Sequence, residues 1–103
     1  MSGRRMVRMA ELEIDPDKLE EYRALLTEEI EASVAQEDGV LSLIAVSIRD
    51  NPSKIRILEV YADQEAYEAH LRTAHFLKYK NGTSDMVRSL TLIDVDPIVM
   101  LSK

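Results

Sequence analysis

The chain has 103 residues, 46% apolar and 31% charged, which fits one folded domain over residues 1–103 and argues against wholesale disorder. Its 13 basic and 19 acidic side chains give a formal net charge of −6, a poor match for nucleic acid, and its lack of cysteine excludes disulfides, thiolate-bound metal and thiol catalysis. No run approaches the roughly 18 apolar residues of a membrane span and no charged-then-apolar leader opens the chain, so the expectation is a cytoplasmic protein with no membrane partner.

Arg5 to Ile14 alternates loosely, with Met6, Ala10, Leu12 and Ile14 on one face, and reads as a strand. Asp15-Pro16 then predicts a helix start, because an Asp carboxylate accepts a free backbone N–H and proline has none to waste. The helix is predicted to reach about Gln36, with Leu19, Tyr22, Leu26, Ile30 and Val34 as its apolar stripe. Nine acidic residues fall between Asp15 and Asp38 against Lys18 and Arg23, and the run Glu28-Glu29-Glu31 reads as a solvated face. Gly39 reads as a turn residue.

Val40 to Arg49 is a strand apolar on both faces, with Val40, Ile44, Val46 and Ile48 on one and Leu41, Leu43 and Ala45 on the other. Asp50-Asn51-Pro52-Ser53 predicts a loose four-residue hairpin connection to a strand from Lys54 to Tyr61. Asp63 is placed to cap a second helix running to about Arg72. Thr73 caps a further helix from Ala74 to about Val87, with Phe76, Leu77, Tyr79 and Met86 as its apolar members and Asn81-Gly82 as a possible break. Ser89 to Leu101 is the last strand, where Pro97 implies an edge, bulge or kink. Residues 1–4 and 102–103 are expected to be loose ends.

The order β-α-β-β-α-β, with the second helix split, is the α+β ferredoxin-like arrangement: an antiparallel sheet with helices on one face. Helices cover only one side of such a sheet, yet its middle strands are apolar on both. The open face is therefore expected to pack on a second copy of the chain, making a homodimer.

The chemistry-bearing residues cluster within 21 positions: Glu59, Tyr61, Tyr67, His70, His75 and Tyr79. Glu59 and Tyr61 are two apart on a strand and share a face. Tyr67 lies one helical turn before His70. Histidine exchanges protons near neutral pH, and tyrosine presents both a flat ring and a hydrogen-bonding hydroxyl. The competing reading is structural: the tyrosines as core, His70 as a satisfied helix-end histidine, and Glu59 as its partner. His70 and His75 are five apart, unlike the HExxH spacing, so no metal is expected, and no phosphate loop or nucleotide fingerprint is present, so no cofactor is expected either.

The stretch Ile57 to Tyr79, ILEVYADQEAYEAHLRTAHFLKY, resembles the signature of the antibiotic biosynthesis monooxygenase superfamily. The matching residues are Glu59 and Tyr61 at a strand end, Asp63, Glu65 and Ala66 at a helix start, then His70, Thr73, His75 and Phe76. Met86-Val87, Ser89-Leu90, Asp15-Pro16-Lys18 and the segment EDGVLS extend the likeness over about Val7 to Val99. The resemblance implies a ferredoxin-like subunit that pairs sheet to sheet into a dimeric α/β barrel, with a pocket between sheet and helices in each subunit. It points to the quinol monooxygenase and autoinducer-2-processing-like branch, whose members include enzymes that use molecular oxygen without metal or flavin. A haem-degrading role is set aside, since the chain has no tryptophan and carries Tyr61 at the strand end.

These observations lead to the expectation of a cofactor-independent monooxygenase acting on a small quinol-like or phenolic substrate. His70 or His75 would be the base and Glu59 would orient it. Tyr61, Tyr67, Thr73, Phe76 and Tyr79 would bind the substrate. One alternative is an isomerase or processing enzyme for a small phosphorylated hydroxyketone, with Arg72, Lys78 or Lys80 holding the phosphate. Another is a non-catalytic dimeric small-molecule-binding module.

Overall fold

The structure, a computed structural model, describes residues 4–103. Its elements are β1 (Met6–Ile14), a single 3-10 turn (Pro16–Lys18), α1 (Leu19–Gln36), β2 (Val40–Ile48), β3 (Asn51–Tyr61), α2 (Gln64–His70), α3 (Ala74–Thr83) and β4 (Val87–Val95). The strands form one antiparallel sheet in the order β2-β3-β1-β4. This is the expected ferredoxin-like α+β fold, with the second helical segment divided as predicted. The expected loose end at residues 1–4 lies outside the described residues except for Arg4, which is exposed and outside regular structure, as are Ser102 and Lys103. Among the described residues no helix is long and apolar enough to cross a membrane.

Asp63 and Thr73 cap α2 and α3 as predicted, whereas Asp15 caps the 3-10 turn and α1 itself begins after Lys18 without a side-chain cap. The Asp15 carboxylate accepts from the Asp17 N–H at 3.0 Å, Asp63 from Ala66 at 2.8 Å and the Thr73 hydroxyl from Phe76 at 3.2 Å. Ala10, Leu12 and Ile14 of β1 and Ile55 and Ile57 of β3 meet Tyr22 and Leu26 of α1 and Met86 in the core. Tyr22 is fully buried, and its hydroxyl bonds that of Tyr79 at 2.6 Å. Removal from water holds both hydroxyls in the neutral form, pushing the Tyr79 pKa up to about 12.

Several sequence expectations are corrected. The buried stripe of α1 continues from Tyr22 and Leu26 into Glu29 and Ser33, and Val34 is exposed. Glu29 is therefore not part of a solvated acidic face. It tolerates burial because it has partners, described below. A register shift between Val40 and Ser42 sets Val40 opposite Tyr61, so Val40 does not share the face of Ile44. The β2–β3 connection is tighter than predicted, because Ile48 pairs with Asn51 and only Arg49 and Asp50 turn. Pro52 fits within β3 because it precedes Lys54, where the pairing with β1 ends. Asn81 and Gly82 stay helical, α3 stops at Thr83, and Leu77 is exposed. β4 ends at Val95, so Pro97 neither bulges nor kinks it.

A candidate active site between sheet and helices

The helix-facing side of the sheet carries a polar interruption. Along β1 the inward series is Arg8, Ala10, Leu12, and along β3 it is Ile55, Ile57, Glu59, Tyr61. The register sets Arg8 opposite Glu59 on one side and Asp94 on the other. Above these residues lies a cavity of about 360 Å³, roofed by α1, α2 and α3. Its walls are mostly apolar and include Tyr61, Tyr67, Phe76 and Tyr79, with Glu59, His70 and Arg8 as inward polar groups. That size and lining suit one small organic molecule.

Of the residues predicted from sequence, Glu59, Tyr61, Tyr67, His70, Phe76 and Tyr79 line this cavity, whereas His75 and Thr73 do not. The Thr73 hydroxyl donates to the His70 carbonyl at 2.8 Å and accepts from the Phe76 N–H, so it sets the angle between α2 and α3. The expected hydrogen bond between Glu59 and a histidine is not made. Glu59 Oε1 instead accepts from the Tyr61 hydroxyl at 2.6 Å. Burial raises the Glu59 pKa against the opposing effects of that hydrogen bond and the charge of His70.

The carboxylates that hold the histidines come from α1 and its C-cap. Glu29 and Ser33 are four apart on one helix face, and Glu37 follows as the extended residue that ends the helix. His70 Nδ1 lies 2.9 Å from Glu37 Oε2, and His70 Nε2 lies 3.2 Å from Glu29 Oε1. His75 Nε2 reaches the same Glu37 oxygen at 2.7 Å. The Ser33 hydroxyl bonds both the Glu29 carbonyl at 2.7 Å and its Oε1 at 2.9 Å. An imidazole facing carboxylate oxygens through both nitrogens is satisfied when both are protonated. Burial opposes that charge, but the contacts with Glu29 and Glu37 outweigh it and raise the His70 pKa. Glu37, His70 and His75 also bring three potential metal-ligand atoms together.

Sequence reasoning missed Glu29, Glu37 and Arg8. The spacing of Tyr22, Leu26, Glu29, Ser33 and Glu37 held the signal for the first two, since an acidic residue in register with an apolar stripe must find a partner. Arg8 was visible as a lone charge on the inward face of β1. Its Nη2 lies 2.9 Å from Asp94 Oδ1 and its Nη1 donates to the Tyr67 hydroxyl at 2.6 Å, while the guanidinium stands 4.6 Å from that ring's centroid. Of the cations considered for a phosphate, Lys80 lines the cavity, Lys78 is tied to Glu28 at the surface, and Arg72 is off the wall.

A sequence profile described as "Antibiotic biosynthesis monooxygenase" matches residues 5–82. No functionally curated protein matches the chain at a significant level. Among solved structures, a protein of Bacteroides thetaiotaomicron that bears the antibiotic biosynthesis monooxygenase name is 52% identical, with a TM-score of 0.93 over 96% of this chain and 94% of that one. A protein of Lactobacillus acidophilus named as a monooxygenase is 25% identical, with a TM-score of 0.84, covering 92% of this chain but only 52% of its own. A protein of Nitrosomonas europaea shares the fold at 20% identity, with a TM-score of 0.86 over 95% of this chain and 94% of that one. The profile match spans most of the chain and covers the cavity wall except its part from Thr83 to Leu92; the chain belongs to the antibiotic biosynthesis monooxygenase family.

Proposed function

We propose that this protein oxidises a small quinol-like or phenolic compound with molecular oxygen and without a bound cofactor. The observation that carries this reading is a buried carboxylate, Glu59, paired with the Tyr61 hydroxyl on the wall of an apolar cavity sized for one aromatic ring system. Glu59 accepts the phenolic proton, helped by the burial that raises its basicity. The resulting electron-rich anion reacts with oxygen. A carbon–oxygen bond forms at the ring and the C–H and O–O bonds break, so that one oxygen atom stays on a quinone product, the other leaves as water, and the substrate gives up all four electrons. Tyr67, Phe76 and Tyr79 enclose the ring.

The histidines take a different part from the one expected from sequence. His70 keeps its protons between Glu29 and Glu37 and presents a fixed ring to the cavity. His75 is a positioning residue that acts through Glu37. The test is oxygen uptake by metal-stripped protein with hydroquinones, catechols and anthrones, corrected for spontaneous oxidation. Protein-dependent uptake is expected, and a null result across the panel would remove this assignment. Arg8 and Lys80 on the cavity wall favour a second reading, an isomerase for a phosphorylated hydroxyketone, which would run equally well under nitrogen.

The same reading includes a homodimer formed through the open face of the sheet. Ile44, Val46, Ile48 and Ile93 are exposed, with Ile44 and Val46 more than half so at 54% and 53%. A second copy would remove this apolar surface from water. Sedimentation at micromolar concentration is expected to give twice the monomer mass. The double variant Ile44→Asp, Ile93→Asp is expected to sediment as a folded monomer, because the residues opposite them in the sheet, Leu58 and Met9, offer a buried carboxylate no partner. A monomeric wild type would end the proposal.

A further inference from the structure

The junction between α2 and α3 holds a second arrangement, reached from behind the cavity wall at His70 and beyond the oxygen chemistry. We propose that Glu37, His70 Nδ1 and His75 Nε2 form a binding site for a first-row divalent cation of the zinc type, with Glu29 and Ser33 fixing His70 from its other side. The three donor atoms lie within 4.8 Å of one another. The spacing of the histidines in sequence argued against a metal, but the third donor arrives from the end of α1, 33 residues before His70. Two nitrogens and one carboxylate oxygen make a borderline donor set, suited to zinc, cobalt or nickel rather than magnesium or calcium.

A metal-bound histidine commonly gives its remote N–H to a carboxylate, which fixes the tautomer and the ring. His70 Nε2 stands 3.2 Å from Glu29 Oε1, and Ser33 bonds that same oxygen at 2.9 Å. Glu29 and His70 are buried at 6% and 3% exposure, while the Glu37 and His75 side chains keep 14% and 15%, which leaves an approach for an ion. Two nearly buried carboxylates and two imidazoles meet at this junction, and a divalent cation would supply the positive charge that protonated imidazole supplies in its absence. Bonds of about 2.0 Å in a tetrahedral site set donors roughly 3.3 Å apart. The nitrogen–oxygen separations of 2.9 and 2.7 Å would therefore open by about half an ångström as the ion replaces the bridging protons. Neither Glu37 nor His75 lines the cavity, so the ion would hold His70 from behind rather than touch a substrate.

The chain's two histidines make the test direct. Tag-free wild type, stripped of metal, is titrated with Zn²⁺ and followed by long-range 1H–15N spectra of the imidazoles. The expected result is a saturable shift of His70 Nδ1 and His75 Nε2 together, with His70 Nε2–H retained. Co²⁺ should give the visible absorption of a low-coordinate ion, lost on adding Zn²⁺. Glu29→Gln should weaken Zn²⁺ binding roughly 10- to 100-fold, and Glu37→Gln by more. Two results would overturn the proposal: imidazole signals unmoved by excess Zn²⁺, which leaves a hydrogen-bond network only, or wild-type affinity in Glu37→Gln, which means adventitious binding at surface carboxylates.

Discussion

Glu59→Gln is expected to lower protein-dependent oxygen uptake by at least about 100-fold, the usual range for removing a positioned proton acceptor, while making the protein more stable at alkaline pH. The two effects share one cause. Glu59 sits among Ile57, Tyr61 and the cavity wall, where burial favours its neutral form and raises its pKa. A carboxyl group with a raised folded-state pKa binds its proton more tightly in the native chain than in the unfolded one. Its contribution is fully present below the unfolded value and is lost as pH rises through the folded one. Above that, the ionised side chain opposes folding. Glutamine keeps an oxygen for the Tyr61 hydroxyl without the charge. Melting temperatures at pH 8 should therefore be higher for the variant and at pH 4 about equal. Full uptake in Glu59→Gln would move proton transfer to another group, and a lower melting temperature at pH 8 would mean that the carboxylate is paired.

Gly39→Ala is expected to destabilise the protein by about 1–3 kcal/mol, the usual cost of forcing an extra methyl into packed structure, and to lower activity with it. Gly39 is not needed for a left-handed backbone, since no described residue has positive φ. It is needed for space. A Cβ there would stand 2.5 Å from the Cβ of Ala66 and 3.5 Å from its Cα. Neither neighbour can swing away, and the Ala62 N–H donates to the Gly39 carbonyl at 2.8 Å, which binds the two segments together. The strain would push α2 outward, and α2 carries Tyr67 and His70. Adding Ala66→Gly removes the opposing methyl and should restore the position of α2, less the roughly 1 kcal/mol cost of glycine in a helix. Urea denaturation of the two single variants and the double variant reads the coupling directly. Simple additivity would show that the contact does not set the position of α2.

The residues predicted at the site divide by how their neighbours are set. Glu59 and Tyr61 share a face through strand alternation, and Tyr67 and His70 share one through helical spacing. Both patterns are local, and the cavity has all four on its wall. His75 and Thr73 were drawn to the site by proximity in sequence. The bend between α2 and α3 gives Thr73 to capping and turns His75 toward Glu37. Glu29 was misread because an acidic run usually faces water, and only burial against a histidine from another helix changes that. α3 was extended too far because Met86, buried in the turn after the helix, falls at helical spacing, and β4 because Ile98, Val99 and Leu101 signal burial although they are exposed.

Alternation, helical periodicity, capping residues and turn residues act within a few positions. The sequence by itself therefore determined the order of elements, the ferredoxin-like fold and six of the side chains on the cavity wall, Glu59, Tyr61, Tyr67, His70, Phe76 and Tyr79. Contacts between distant elements follow from packing, which no local pattern encodes. Only the tertiary structure decided that Arg8 would stand between Glu59 and Asp94. The same packing decided that Glu29 and Glu37, rather than Glu59, would hold His70.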